Sequence, residues 1–144
     1  MKRQAVSLIS LLSLLLVAGS AFAQNIHVRG DIPFNFVVGN KTYSAGTYEV
    51  GSIDIRNSRT LLLRASDGNA SAMINSNAAE GLKPADQTKL VFNRYGNQYF
   101  LSQVWVNGAT LGHQLPKSSR EKEVARDMAR NLTQERVEVL ASLQ

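Results

Sequence analysis

The sequence predicts a mainly β protein, a compact antiparallel β-sandwich or small barrel of about seven to eight short strands with a C-terminal α-helix. Two observations support this prediction. Short segments of alternating apolar and polar residues, separated by glycine-containing turns, run through most of the chain. Beyond residue 116 the apolar residues recur at helical spacing instead. The alternation does not distinguish a sandwich from a barrel.

The first 23 residues predict a secretory signal peptide. Lys2 and Arg3 precede a leucine-rich apolar run over 5–18, and Ala21-Phe22-Ala23 has the small-x-small pattern that signal peptidase recognises. Cleavage after Ala23 leaves 121 of the 144 residues, enough for one domain with its own core. Losing Lys2 and Arg3 also lowers the formal net charge from +5 to +3.

The mature chain is predicted to be secreted or periplasmic and to form one domain. Residues 24–116 are the predicted β domain, and residues 117–144 are an amphipathic helix that packs on this domain or extends from it. No further apolar run reaches the roughly 20 residues that span a bilayer, so we expect no membrane span after signal cleavage.

The first predicted strand has polar residues on one face and apolar residues on the other. Pro33 cannot donate a ladder hydrogen bond, so the strand lies at an edge or bends there. Turns are predicted at Gly39-Asn40 and at 44–46. The apolar face consists of Val28, Gly30, Ile32, Phe34, Phe36 and Val38.

Short strand segments around 48–55 follow, with an interruption at Gly51-Ser52. A turn at 57–59 leads into a strand over 60–65, and Asp67-Gly68 predicts a hairpin to a strand near 70–75. Residues 76–88 are small and polar and are predicted to form the longest loop.

The best-defined local element is a hairpin of residues 89–95 and 98–106 around Gly96-Asn97, where a glycine in the first turn position suits a type II′ turn. Both faces carry apolar residues, which predicts a central hairpin covered on both sides. The predicted facing pairs are Tyr95 with Gln98, Arg94 with Tyr99, Phe92 with Leu101 and Leu90 with Gln103.

The C-terminal helix is predicted to begin at a capping box, Ser118-x-x-Glu121. Glu135-Arg136 interrupts its apolar stripe, so the first half is expected to dock on the β domain. The second half is expected to be freer and to contact a partner or a second copy. The stripe consists of Val124, Ala125, Met128, Ala129, Leu132, Val139, Leu140 and Leu143.

Two motifs carry a resemblance: I-P-F-x-F-x-V-G-N-K-T at residues 32–42 and L-V-F-x-R-Y-G-x-Q-Y-F-L at residues 90–101. With them the chain resembles small exported bacterial β-rich proteins of unknown function that begin with a signal peptide. The resemblance implies export and a single β-rich domain, and it implies no activity, ligand or catalytic residue. It also implies that relatives often carry arginine at the position of His113, which counts against a metal or catalytic role there.

The sequence predicts no catalytic, metal-binding or cofactor-binding residue. The chain has no cysteine, which excludes disulfides, thiolate nucleophiles and zinc sites with sulfur ligands. His27 and His113 are the only histidines and are predicted to be solvated. No G-x-S-x-G or S-x-x-K motif marks a serine nucleophile. The carboxylates are scattered over turns and polar faces.

Three further motifs have ordinary explanations. Arg29-Gly30-Asp31 matches an adhesion tripeptide but falls in a predicted strand, and Asn131-Leu132-Thr133 fits a glycosylation acceptor within the helical pattern. Lys122, Arg126 and Arg130 form a basic ridge on the helix, and Glu121, Glu123 and Asp127 lie close by and dilute its field. An exported protein without an aromatic-plus-basic strand pattern is not expected to bind nucleic acid.

We therefore predict an exported, non-enzymatic β module with a structural, interaction or binding role in the cell envelope or outside the cell. Its partner is unknown; an envelope component or self-association through the C-terminal helix are the options. The alternatives are a small secreted hydrolase or lyase with dispersed catalytic residues, and a carrier of a small apolar ligand. A packed core with a surface patch favours the module, a polar pocket the enzyme, and a dry pocket the carrier.

Overall fold

A computed structural model describes residues 25–54, 57–131 and 133–144 of the chain. The predicted signal peptide and its cleavage site lie outside these ranges, as do Ile55, Arg56 and Leu132. The described elements are β1 (His27–Ile32), β2 (Phe36–Val38), β3 (Lys41–Tyr43), β4 (Gly46–Asp54), β5 (Asn57–Ala65), β6 (Ser71–Asn75), β7 (Asn77–Glu80), β8 (Lys89–Tyr95), β9 (Gln98–Trp105), β10 (Leu111–Gln114), α1 (Ser119–Met128) and β11 (Glu135–Leu143).

The protein is mainly β, as predicted, and its strands form a curled, open sheet in the shape of a half-barrel. The strands follow the order β3-β2-β9-β8-β11-β1-β4-β5-β6, and β10 pairs with both β9 and β7. All pairs among the described strands are antiparallel except that of β2 with β9, which meet at Val37 and Phe100. The described ranges contain eleven strands where the sequence predicted about seven to eight, because β2, β3, β7 and β10 are only three or four residues long.

The curl brings one face of the sheet into a single apolar core. β1 shows how the alternation achieves this, because Val28 and Ile32 are buried while His27, Arg29 and Asp31 are exposed. β1 lies in the interior of the sheet, between β11 and β4, so Pro33 marks a bend and not an edge. Aromatic rings fill the centre, where Phe92 contacts Phe34 and Phe36 edge to face at centroid distances of 5.0 and 5.6 Å.

The β8–β9 hairpin is central and covered on both sides, as predicted. One face joins the main core, and the other carries Tyr95 and Phe100 beneath α1. Gly96 has a φ of 59°, and no described residue other than glycine has a positive φ, which together fit a type II′ turn.

Three of the four predicted facing pairs of the hairpin are confirmed, and the fourth is wrong. Leu90 lies opposite Val104 instead of Gln103, because the register shifts by one residue between Val91 and Phe92. This bulge places Val104 in the main core and leaves Gln103 and Trp105 on the other face of the sheet.

The second half of the predicted C-terminal helix is wrong. α1 ends at Met128, and Glu135–Leu143 form β11, which lies between β8 and β1. Val137, Val139 and Ala141 point toward the core, whereas the residues between them are exposed. The predicted boundary at residue 116 therefore does not separate a β domain from a helix, because the chain returns to the sheet. The segment to which we had assigned self-association is this strand.

The first half of the predicted helix is confirmed. Ser118 is the N-cap, and its side chain accepts a hydrogen bond from the Glu121 N–H at 3.1 Å. Val124 and Met128 pack against the buried Tyr95–Phe100 face of the hairpin.

Four other segments differ from their prediction. β5 already begins at Asn57, so residues 57–59, predicted to be a turn, belong to a strand. β4 is continuous through Gly51-Ser52 and has a register shift between Ser52 and Asp54. Residues 76–88, predicted to be a loop, contain β7, and β10 forms after Gly108 where no strand was predicted. Both strands are four residues long and pair with each other, so the alternation within each was too short to detect.

The hairpin predicted at Asp67-Gly68 is confirmed: it joins β5 to β6, and Leu61 and Leu63 are fully buried on one face of β5. In the described ranges no helix has both the length and the apolarity that crossing a membrane requires.

Candidate functional site

The open edge of β6 is the candidate site. Among the described strands, β6 pairs only with β5, with Leu61 opposite Ile74 and Leu62 opposite Met73. Main-chain hydrogen bonds at both ends of this ladder fix the direction of every peptide group. The Ala65 N–H donates to the Ala70 carbonyl, and the Ser76 N–H donates to the Arg59 carbonyl.

These two bonds show which groups of β6 face outward. In an antiparallel pair, alternate residues bond to the neighbouring strand, so Ala72 and Ile74 bond to β5 as Ala70 and Ser76 do. Ser71, Met73 and Asn75 therefore direct their N–H and C=O groups away from β5. The Tyr43 hydroxyl, which lies 3.5 Å from the Ser71 carbonyl oxygen, confirms this direction.

The edge is open because the next ladder stops. β7 pairs with β10 up to Asn77 and Gln114, and the same register would place Asn75 opposite Pro116. Proline has no N–H to donate, and the Leu115 N–H already bonds to the Ser102 carbonyl of β9. Beyond Pro116 the chain turns away toward the N-cap of α1. No described strand therefore pairs with the outward side of β6, and a gap remains there.

A cleft of about 300 Å³ occupies the gap beside the outward side of β6, and we call it the β6 cleft. One wall is the edge of β6 from Ala72 to Asn75, and the facing wall is formed by 37–39 and 116–118. Three of its lining residues, Ile74, Leu101 and Leu115, belong to the buried core. Lys117 and Glu121 add charged groups to the lining.

Glu121 connects the β6 cleft to a buried polar network. Its side chain is 4% exposed, and one carboxylate oxygen accepts hydrogen bonds from Asn93 Nδ2 at 2.8 Å and from the Tyr95 hydroxyl at 3.1 Å. Gln134 donates to Asn93 Oδ1 at 3.0 Å from the segment between α1 and β11. The network therefore fastens α1 to the outer face of the hairpin. Burial, and then the nearby Glu121 carboxylate, raise the pKa of Tyr95 to about 12.

Trp105, at the far end of β9, belongs to a separate polar cluster with Gln103 and Arg136. Its indole N–H donates to Gln103 Oε1 at 2.9 Å, and Arg136 of β11 donates to the same oxygen. The ring lines a shallow cleft of about 350 Å³ together with Lys83, Asp86 and Glu138, yet Trp105 itself is only 8% exposed. α1 packs at the other end of the hairpin, on Tyr95 and Phe100.

Arg94 and Tyr99 are separate from this cleft. The Arg94 guanidinium lies 5.5 Å from the centroid of the Tyr99 ring, which stacks on Phe34 at 3.8 Å. With the register predicted from the sequence, Arg94, Tyr99, Gln103 and Trp105 would share one face of the hairpin. They form two groups, because the bulge in β9 separates them.

Gly112 of β10 is expected to tolerate no larger side chain. A Cβ there would lie 2.7 Å from two ring carbons of Trp105, so we expect Gly112→Ala to lower the free energy of unfolding by about 1–3 kcal/mol through overpacking. Leu111→Ala, on the same strand and 57% exposed, should change it by about 0.5 kcal/mol or less. Urea unfolding of both variants tests this, and equal changes would contradict the packing of Trp105 on β10.

His113 is not solvated as predicted. It is half-buried on β10, and its Nδ1 lies 3.0 Å from the Ser76 hydroxyl oxygen, where the chain passes from β6 to β7. The hydroxyl donates to the Arg59 carbonyl at 2.9 Å, so the histidine holds the strand junction, and Ser76 is not poised as a nucleophile.

Burial lowers the pKa of His113, which predicts a loss of stability in acid. The unfolded chain takes up a proton near pH 6.5 while the folded chain does not, so the free energy of unfolding should fall as the pH drops through 6.5. Chemical unfolding between pH 8 and pH 5 measures this slope. Replacing the imidazole in His113→Gln should remove the His113 contribution, and an unchanged slope in that variant would contradict the assignment.

The predicted exposure of His27 is confirmed, and the structure adds partners that the sequence analysis did not foresee. His27, Arg29 and Arg64 surround Glu49, at N–O distances of 3.5, 3.9 and 3.7 Å. These side chains lie on the exposed face of β1, β4 and β5, and cross-strand pairing accounts for the arrangement. Arg29-Gly30-Asp31 lies in β1, in the strand conformation predicted for it.

The basic ridge on α1 is shorter than predicted. Lys122 and Arg126 lie on the exposed side of the helix, but Arg130 lies beyond its end at Met128. In the described ranges, histidine and the acidic residues form no group of three or more that could hold a metal ion.

The sequence analysis missed the β6 cleft and the position of Glu121. Two signals were available in retrospect: an uncharged strand at 71–75, and a proline at 116 that ends a strand-like segment. In comparisons with known proteins, no family model, curated protein or solved structure matches the chain. The resemblance to small exported bacterial proteins stays a prediction.

Proposed function

We propose that this protein is an exported, non-enzymatic β module that binds a partner in the cell envelope or outside the cell. The partner occupies the β6 cleft. The observation that carries the proposal is the open edge of β6, whose outward peptide groups at Met73 and Asn75 lie beside an apolar cleft. Globular proteins usually cover or charge such an edge, because it offers unpaired hydrogen-bonding groups to other molecules.

The packing of the sheet supports a surface-binding role. Side chains from strands around the curl fill its concave side, including Val28, Val50, Leu61, Leu90 and Phe92, which have no measurable exposure. A ligand held by this protein therefore contacts the rim or the outer face of the sheet. At the β6 cleft, three core residues line such an opening on the rim.

A carrier of a small apolar ligand is the second candidate. Ile74, Leu101 and Leu115 give the β6 cleft an apolar lining, and its volume of about 300 Å³ lies at the lower end of the range for ligand pockets. The carrier hypothesis accounts for the apolar lining, but it gives the outward peptide groups of β6 no role.

Photo-crosslinking in cells that produce the protein tests the proposed function. Met73 is 72% exposed at the edge of β6, so Met73→p-benzoylphenylalanine places a photoreactive group at the mouth of the cleft. Leu140, 63% exposed on β11, is the matched control position. We expect a discrete adduct in the exported fraction from position 73 and none from position 140. No adduct at position 73, or the same adduct at both, would overturn the proposal.

A further inference from the structure

We propose that the partner is an extended polypeptide segment that adds to β6 as a new edge strand. It pairs with the outward N–H and C=O groups of Met73 and Asn75. This inference rests on the proposed function and specifies the chemistry of the partner. It commits to main-chain pairing in the β6 cleft, with side-chain contacts secondary.

The spacing and polarity of the open groups favour a polypeptide. Met73 and Asn75 each present one donor and one acceptor on the same side, and the two residues are about 7 Å apart along the strand. A polypeptide in the β conformation repeats its own donor and acceptor at that distance and can satisfy all four groups. Apolar ligands supply no such groups.

The cleft also suits the side chains of such a segment. Successive residues of a strand point to opposite faces, so every second side chain of the added strand would face Ile74, Leu101 and Leu115. The intervening side chains would point outward beside the exposed Met73. We therefore expect bound segments to alternate apolar and polar residues.

β6 lacks the features by which proteins protect an edge. Its residues, Ser71–Asn75, include no charge and no proline, and its pairing with β5 has no register shift. The opposite edge strand, β3, differs because it is three residues long and carries Lys41. An unprotected edge beside an apolar cleft is the arrangement that binding by strand addition uses.

The ladder that β10 begins would continue in the added strand. β7 follows β6 along the chain, and β10 pairs with the side of β7 that continues the outward side of Met73 and Asn75. This pairing stops at the position of Pro116. An added segment therefore extends an existing line of hydrogen bonds past the point at which the proline interrupts it. Each new main-chain bond contributes about 0.5–1.5 kcal/mol.

Selection of peptides against the protein tests this inference. A phage library of random octapeptides is panned on the exported full-length protein, and enriched peptides are synthesised for titration by NMR. We expect enriched peptides to alternate apolar and polar residues and to shift the amide signals of 71–75. The amides of Met73 and Asn75 should exchange with solvent more slowly in the complex.

A pair of substitutions at one position separates the main chain from the side chain. Met73→Pro removes an N–H that faces away from β5, which an edge strand tolerates. It should weaken binding of the selected peptides at least tenfold. Met73→Thr changes the exposed side chain and keeps the N–H, so it should alter affinity by less than about threefold. Thermal melts establish that both variants fold.

Three results would overturn the inference: no enrichment of peptides, signal changes centred outside 71–75, or equal affinity for the wild type and Met73→Pro. If Met73→Pro does not fold, the test is the amide exchange of the wild type: unchanged exchange of Met73 and Asn75 in the complex would then overturn the inference. A photo-crosslink at position 73 without peptide binding would leave the proposed function standing and remove the polypeptide as its ligand. An adduct with a small apolar molecule would then support the carrier.

Discussion

Val139→Asp is expected to lower the free energy of unfolding by about 2–4 kcal/mol. Val139 points from β11 toward the core and lies opposite the fully buried Leu90. Val139 is partly buried, so a carboxylate there loses part of its hydration and finds no cation among the apolar groups of the described core. Urea unfolding measures the change.

Leu140→Asp is the matched control because it makes the same substitution at the next residue of the strand. Leu140 points outward and is 63% exposed, so the loss should be about 0.5 kcal/mol or less. Two small losses would mean that residues 135–143 are free of the sheet, as the helix prediction had expected. Two large losses would contradict the alternation of β11.

The error over 135–143 has a physical cause in the segment itself. Its apolar residues fit a helical stripe and a strand equally well over so short a distance, because Val137, Val139 and Ala141 also alternate. The choice depends on β8 and β1, which offer a free edge on each side of the segment. Pairing over so long a sequence separation is not encoded in local spacing.

Local signals, by contrast, predicted the local structure correctly. The Gly96-Asn97 turn, the N-cap at Ser118 and the burial pattern of β1 each depend on a few neighbouring residues. The bulge in β9 was not predictable, because it results from how β9 meets β8 and β10 together. It places Gln103 and Trp105 on the face opposite to Tyr99 and Leu101, whereas an unshifted register would keep all four on one face.

The candidate site was not predictable for the same reason. The open edge of β6 exists because β10 leaves β7 at Pro116, and this depends on the pairing of segments almost 40 residues apart. The sequence does show an uncharged strand and a proline. It does not show that they face each other across a cleft.

Glu121→Ala is the second substitution with a large expected effect, about 2–4 kcal/mol of unfolding free energy. The capping box predicted that Glu121 would serve the helix end. Its N–H does donate to the Ser118 hydroxyl oxygen, but its carboxylate faces the hairpin and accepts hydrogen bonds from Asn93 and Tyr95. Removing it leaves the buried Asn93 amide without its acceptor, which costs about 1–3 kcal/mol, and takes a charge-assisted bond from the Tyr95 hydroxyl, which keeps Gln134 Oε1 at 3.2 Å.

Two variants and one titration make this prediction specific. Glu123→Ala removes an exposed carboxylate from the same helix and should change the unfolding free energy by about 0.5 kcal/mol or less. Glu121→Gln keeps an acceptor oxygen for Asn93 and should recover part of the loss.

The tyrosinate absorbance of Tyr95 should appear at lower pH in Glu121→Ala, because the carboxylate contributes to a pKa that is raised to about 12. Burial, the larger cause, should still hold that pKa above the ordinary value of 10. Equal, small losses for Glu121→Ala and Glu123→Ala would mean that α1 is not fastened through this network, and one wall of the β6 cleft would then be free to move.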